Sequence, residues 1–270
     1  MSKSLIYRLK AVILSPNMLI SVVIGVLLLT WNFFFNFIIY NLAIGPLKLT
    51  EMGSMFLNDI YQSHAMSGFD FFAPILAVLP ATIIFCEDYN SGYIKSILGR
   101  IGRRQYLRES IICSSIAGGL AVSIPSFIAY TFYVLNGSPN LVKETATYSS
   151  VFDESIFVNI QFIWDGGLVV AILLILAFLF GAIWSNVGLC ISAFIPNRYI
   201  ALAAPFALYF SSHLFCYRIN SLLFLSPVNM LMPIVDVIPD LLYPFVYQMF
   251  LFVAVLLLFF EKAKWRLKDV

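Results

Sequence analysis

Charge is scarce in this sequence, and its scarcity sets the class of protein. Only 11% of the 270 residues are charged and 61% are hydrophobic, whereas soluble domains carry about 25% charged residues. A helix needs about 20 apolar residues to cross a bilayer. The composition therefore excludes a soluble domain and predicts a helical, multi-pass membrane protein. Lys, Arg, Asp and Glu are absent from six blocks: residues 18–40, 71–86, 111–135, 168–195, 199–217 and 241–260.

Motifs for catalysis and nucleotide binding are missing as well. The sequence has no HExxH, no GxSxG and no GxxxxGK[ST]. Of its two histidines, His213 lies in an apolar block, where a hydrogen-bonded packing role is the more common one. An intramembrane enzyme would need an unrecognised nucleophile such as Ser185 or Cys190, and both also fit as small packing residues. We therefore expect no enzymatic activity, metal or cofactor, and uphill transport would take its energy from another polypeptide.

Cysteine pairs with metal-ligand spacing are absent too. Cys86, Cys113, Cys190 and Cys216 lie in or beside apolar blocks and form no CxxC pair. Cysteines in such surroundings behave as small buried hydrophobes. The pattern argues against a disulfide framework and against a zinc site.

The apolar blocks predict one all-α transmembrane domain over residues 1–270. Pro74 and Pro80 fall in the second span, so we expect that span to start before its apolar block or to bend. Three further prolines interrupt the apolar tract 221–240, which we interpret as an outer re-entrant hairpin and not as a seventh span. The six predicted spans lie at about 18–40, 69–86, 111–135, 168–195, 199–217 and 241–260.

Orientation follows from the distribution of basic residues. With six spans, 13 of the 16 Lys and Arg residues fall on one side of the membrane. Basic segments stay in the cytoplasm during insertion. We therefore predict a protein of the cytoplasmic (inner) membrane with both termini in the cytoplasm. The amino terminus offers no small-residue cleavage site, and we expect the first span to be retained. The basic residues predicted outside are Lys48, Lys143 and Arg218.

The connection at 87–110 predicts a short amphipathic helix. Ile94, Ile97, Leu98 and Ile101 follow the spacing i, i+3, i+4 and i+7, which places them on one helical face. A cluster of arginines follows. One interpretation is that the helix lies on the membrane, with the arginines at anionic lipid headgroups. The other is that its apolar face enters a groove on a soluble ATPase and transmits motion to the spans.

The same connection resembles the coupling loop of type 2 ABC-transporter permeases, the ABC exporter family with six-helix subunits. The resemblance consists of an acidic residue at the end of the second span, a glycine, an aliphatic stretch and an arginine-containing turn. One departure is that Ile101 and Gly102 stand where the family often has a proline. The matching residues are Glu87 and Asp88, Gly92, the run from Ile94 to Leu98, and Arg104 with Tyr106 and Arg108.

The resemblance implies partners and a site. It implies a cytoplasmic ABC ATPase subunit that binds ATP and Mg, a second permease subunit in a homo- or heterodimer, membrane lipid as surroundings and no nucleic acid. It also implies that the segment ahead of Ser15–Pro16 is the family's interfacial helix, although an ordinary membrane anchor fits equally. The residues expected to contact the ATPase are Glu87, Asp88, Gly92, Tyr93, Ile94, Ile97, Leu98, Ile101 and Arg104.

A solute path and a subunit seam have weaker candidates. The cluster Trp31, Asn32, Phe35 and Asn36 in the first span could face a substrate or simply pack. The stripe Ser115, Gly119 and Ser123 could be a dimer seam or could relieve crowding within one bundle. The function that the resemblance implies is the permease subunit of an ATP-driven exporter of a hydrophobic or amphipathic solute, such as a peptide, lipid-linked molecule or drug. The alternative is a non-transporting membrane immunity or sensor protein.

Overall fold

The fold is known from a computed structural model that describes residues 3–43, 68–136, 166–231 and 242–267. Every regular element in these ranges is helical. The predicted all-α class is thus confirmed for this part of the chain. The helices are α1 (Lys3–Ile13), α2 (Pro16–Ala43), α3 (Phe69–Val78), α4 (Ile83–Asn90), α5 (Tyr93–Ile101), α6 (Arg103–Asn136), α7 (Gly166–Phe194), α8 (Arg198–Arg218), two 3-10 turns (Asn220–Leu225 and Pro227–Met230) and α9 (Leu242–Arg266).

Within these ranges the number of membrane-crossing candidates is four or five. Helices α6 to α9 are each long and apolar enough to cross a membrane, and α1 with α2 forms a fifth candidate if this bent pair is one span. The pair bends by 47°. At the bend the Ser15 hydroxyl accepts a hydrogen bond from the Met18 amide, 3.2 Å away, and so caps α2. Helix α1 therefore ends where the predicted interfacial segment ends.

The predicted second span, 69–86, is two helices in the structure. A turn at Leu79–Thr82 separates helices α3 and α4, so the predicted span is interrupted around Pro80. Pro80 has no N–H to donate to the carbonyl of Leu76. The buried hydroxyl of Ser21 on α2 takes that place and donates to the Leu76 carbonyl at 2.8 Å. The carbonyl left open by the break thus receives a hydrogen bond from a neighbouring helix, as a backbone group in apolar surroundings requires.

Replacing Ser21 with alanine should weaken the bundle at this break. The Leu76 carbonyl would be left without its donor in a buried position, which costs about 1–3 kcal/mol. Ser126→Ala is the matched control, because Ser126 is equally buried but its hydroxyl bonds the Val122 carbonyl of its own helix. Thermal unfolding of the two purified variants in detergent measures the difference. Equal melting temperatures would show that Ser21 does not support the break.

Helices α6 and α7 form the tightest contact in the bundle. A Cβ added at Gly118 of α6 would lie 2.6 Å from the carbonyl oxygen of Gly181 on α7, so the two backbones touch. Beside them the hydroxyls of Ser114 and Ser185 are 2.8 Å apart. Small residues allow this approach, and the hydroxyl pair adds an interhelical hydrogen bond.

The small-residue stripe of α6 packs on α7 of the same chain. Ser115 accepts a hydrogen bond from the Asn186 side-chain amide at 2.7 Å. A Cβ at Gly119 would lie 2.5 Å from the ring of Phe178. Ser115 and Gly119 therefore support packing within one bundle rather than a dimer seam.

The two largest hydrophobic clusters of the described residues lie at different levels of the bundle. The first, called here the basal cluster, contains Phe85, Ile94, Tyr106, Leu189 and Phe259 among its buried members. The second, called the distal cluster, lies towards the other end and is built on a larger set of buried residues. The distal set includes Leu29, Phe69, Tyr130, Leu173, Phe180, Trp184, Tyr209 and Leu231.

The segments that the charge pattern placed on one side meet at the basal end. Asn90, the last residue of α4, donates its side-chain amide to the Pro196 carbonyl between α7 and α8 at 2.9 Å. The Arg266 guanidinium at the end of α9 donates to the carbonyls of Ala193 and Phe194, at 2.9 and 2.6 Å, and so caps α7. Helix α1 reaches the same end through Arg8 and Asp88. One end of the bundle is thus shared by the amino-terminal segment, residues 87–110, residues 196–198 and the carboxyl-terminal segment.

The proline-containing tract after α8 turns back along that helix. Ser226 lies beside His213, with 2.8 Å between its hydroxyl and the ring Nδ1. Further along, Leu231 belongs to the distal cluster with Tyr209, which lies near the middle of α8, so the tract runs back beside that helix. Gln248 of α9 donates to the Met230 carbonyl at 2.7 Å and holds it there. Residues 232–240 of the predicted hairpin lie outside the described residues.

Candidate functional site

Helix α5 is the most distinctive feature of the basal end. It is bracketed by Gly92 and Gly102, whose φ angles are 72° and 75°. Residues with a side chain rarely adopt this backbone region, so glycine permits the sharp reversal at each end. The Tyr93 amide also lies 3.4 Å from the Ser91 hydroxyl, which helps the helix to start. Helix α5 is therefore a separate rod between the predicted second and third spans.

The apolar face of α5 packs on the chain itself. Ile94 is only 1% exposed and belongs to the basal cluster, while Ile97, Leu98 and Ile101 are partly buried against that cluster. This face was predicted to contact an ATPase subunit, and in the single chain it packs against α4 and α6, with Ile94 fully covered. Contact of the predicted residues with an ATPase stays a prediction. An aliphatic stripe on a helical wheel gives the buried face but does not say what buries it.

The opposite face of α5 is exposed. It presents Tyr93, with 57% of its surface accessible, together with Ser96, Gly99 and Arg100. An exposed tyrosine on a short rigid helix is a common anchor in protein interfaces. The face available to a partner is thus mixed in polarity and is centred on Tyr93 and Ser96.

A charged network joins α1 to the loop. Arg8 of α1 forms a 2.5 Å ion pair with Asp88 near the end of α4. The hydroxyl of Tyr106 on α6 donates to the same carboxylate oxygen at 2.9 Å, and the Arg8 guanidinium lies 4.7 Å from the centre of the Tyr106 ring. Tyr106 is fully buried. The three side chains, called here the basal triad, tie α1, α4 and α6 together at the foot of α5.

A second polar contact reinforces the position of α1. The Ser4 hydroxyl donates to Glu109 Oε1 at 2.6 Å, and the Gln105 side-chain amide donates to the same oxygen at 2.9 Å. Glu109 is 3% exposed. Helix α1 is consequently held at two points, Arg8 and Ser4, along the start of α6.

The remaining predicted ATPase contacts fall in different surroundings. Glu87 is exposed, whereas its neighbour Asp88 is engaged in the basal triad. Gly92 forms the turn before α5, and Arg104 lies beyond Gly102 on the exposed first turn of α6. The structure therefore brings these residues to one end of the bundle but divides them between internal packing and surface.

The proposed solute-path cluster is described only in part. Trp31 is 66% exposed on α2 and points away from the bundle interior. The side chains of Asn32, Phe35 and Asn36 lie outside the described residues, although their backbone is helical. A pathway along this stretch of α2 stays a prediction.

Sequence reasoning missed Arg8 as a site residue. The signal was present, because Leu5, Arg8 and Val12 share one helical face and both apolar neighbours are buried. A charged residue on a buried stripe is seldom found without a partner. Such a position indicates an internal ion pair, and Asp88 was the acid available in the matching loop.

Comparisons with known proteins give no independent assignment. No family model, no curated protein and no solved structure matches this chain. In the parts of the chain that the structure describes, no group of three His, Cys, Asp or Glu residues could hold a metal ion. The physical features of the basal end therefore carry the functional argument.

Proposed function

We propose that the chain is the membrane-spanning permease subunit of an ATP-driven exporter of the type 2 ABC class. The observation that carries the proposal is the geometry of α5. This short helix stands between the second and third spans, is fixed by positive-φ glycines at both ends, packs its apolar face on the bundle and exposes Tyr93 and Ser96. A helix so arranged can receive a push on one face and pass it on through the other.

The meeting of four segments at one end supports six crossings. Helix α1 and the loop before α6 lie at the same end, so the chain between them crosses an even number of times. The same holds between that loop and residue 196, and between residue 198 and the end of α9. Two crossings in each interval give six, with the broken α3–α4 as the second. The tract after α8 then returns to the side it came from.

The basal cluster provides the mechanical path. Ile94 is buried in the same cluster as Phe85 of α4 and Tyr106 of α6. Close-packed interiors transmit displacement because they leave few voids to absorb it. In this proposal a cytoplasmic ATPase binds ATP and Mg, contacts the exposed face of α5, and its motion reaches the second and third spans through Ile94. The solute is hydrophobic or amphipathic, and a second permease subunit completes the path.

Truncation of Tyr93 tests the proposed docking face. Tyr93→Ala should weaken association with the ATPase roughly 30-fold, because truncating a central interface tyrosine typically costs about 2 kcal/mol. Tyr199→Ala is the matched control, since Tyr199 is also exposed, at 66% against 57%, at the same end of the bundle. The measurement is co-purification of a P-loop ATPase with the tagged chain, with ATP hydrolysis assayed in the complex.

The two variants also separate the alternatives. Loss of the ATPase from the Tyr93 variant alone would support docking on α5. Equal retention of the ATPase in both variants would contradict it. If no P-loop ATPase accompanies the unaltered chain, the exporter proposal itself fails.

A further inference from the structure

A basic groove lies beside α5 that the proposed function does not use. It has a volume of about 720 Å³ and is open to the surface. Three arginines and one glutamate give it a formal charge of +2. Its lining residues are Ile101, Gly102, Arg103, Arg104, Gln105, Arg108 and Glu109.

Two of the arginines in the groove have no partner among the residues that the structure describes. Arg104 and Arg108 are exposed and form no hydrogen bond or ion pair with any residue in the ranges described. They stand one helical turn apart on α6, so both guanidinium groups can reach one ligand. The carboxylate in the groove, Glu109, is already bonded by Ser4 and Gln105. An anion is the ligand that this arrangement favours, and Arg forks suit phosphate oxygens in particular.

The position of the groove along α6 selects the source of the anion. Residues 111–135 carry no charge and are the predicted third span. At 1.5 Å per residue, Arg108 and Arg104 lie about 5 and about 10 Å beyond Ile111. The polar layer of a bilayer is about 5–8 Å deep on each side. Both side chains therefore reach the level of lipid phosphates.

Helix α1 supports the same placement. It borders the groove through the Ser4–Glu109 hydrogen bond and exposes Tyr7, with 75% of its surface accessible, and Leu14 in the turn that follows is 81% accessible. Apolar side chains on an amphipathic helix are accommodated where headgroups meet acyl chains. A helix lying at that depth puts the mouth of the groove among the headgroups. We propose that the groove binds the phosphate of an anionic phospholipid between Arg104 and Arg108.

The test is a titration of phosphatidylglycerol into the purified full chain, followed by native mass spectrometry, with phosphatidylcholine as the neutral lipid. Arg104→Gln with Arg108→Gln should weaken binding of the first phosphatidylglycerol roughly 30-fold, since each basic side chain near an anionic surface contributes about fivefold. Lys262→Gln with Lys264→Gln removes the same charge at the same end of the bundle and should leave that binding within about twofold. Arg104→Lys with Arg108→Lys should fall between, because charge is kept and the fork is lost.

Three results would overturn the proposal. The first is equal weakening by the arginine and lysine pairs, which would indicate a diffuse charge effect. The second is unchanged phosphatidylglycerol binding in the arginine variant with loss of a protein partner, which would assign the groove to an acidic protein segment. The third is equal titration of the unaltered chain by inorganic phosphate and by the lipid, which would leave no role for the membrane. If the glutamine pair unfolds, the lysine pair still decides, since it must bind more weakly than the unaltered chain.

Discussion

Replacing Gly118 with alanine is expected to prevent α6 and α7 from closing into their native contact. The added Cβ would lie 2.6 Å from the carbonyl oxygen of Gly181. Backbone cannot swing aside as a flexible side chain can, so the helices must separate. Overpacking typically costs about 1–3 kcal/mol, and a clash with backbone belongs at the upper end of that range. Separation would also stretch the Ser114–Ser185 pair.

The measurement is the yield of monodisperse protein in detergent and its melting temperature. Gly99→Ala is the matched control, because a Cβ at Gly99 meets no atom within 4 Å. On a helix surface that change should stabilise by about 0.5–1 kcal/mol. A Gly118→Ala variant that melts with the unaltered chain would contradict the close approach of α6 and α7.

Replacing Asp88 with alanine is expected to release α1 from the base of the bundle. Arg8 would lose its ion-pair partner and Tyr106 the acceptor of its hydroxyl in one step. Removing one member of a buried pair costs about 3–5 kcal/mol, because the other charge stays uncompensated. The triad is partly exposed, at 19% for Arg8 and 13% for Asp88, so the low end of that range applies.

Limited proteolysis after Arg8 measures this release, alongside the melting temperature. Glu87→Ala is the matched control, since it removes an adjacent acid whose side chain is exposed. Adding Arg8→Ala to Asp88→Ala should restore part of the lost stability, because no charge is then left unpaired. Identical protection of α1 in the Asp88 and Glu87 variants would show that the triad does not hold it.

The class of protein and the existence of α5 were readable from the sequence because each rests on a local signal. Uncharged runs such as 111–135 are long enough to span by themselves, and the spacing from Ile94 to Ile101 has one helical solution. The interruption of the second span was indicated by Pro80. Its support by Ser21 was not, since that hydrogen bond joins residues 55 positions apart.

The orientation of α5 could not be predicted for a similar reason. Periodicity shows that Ile94 and Ile97 share a face, but a soluble partner and the chain's own bundle would both cover such a face. The three-dimensional contacts with Phe85 and Tyr106 show that the bundle itself covers Ile94. The docking face that we propose is consequently the one that carries Tyr93 and Ser96, which composition alone does not distinguish from any solvated surface.

The proposed function requires that α5 faces the cytoplasm, where an ATPase can reach it. The direct test is labelling of Ser96→Cys by a membrane-impermeant maleimide in sealed vesicles of both orientations. Background is low because all four native cysteines are buried. Labelling in inverted vesicles and protection in right-side-out vesicles is the predicted result. Labelling of Ser96→Cys from the outside would show that α5 does not face the cytoplasm.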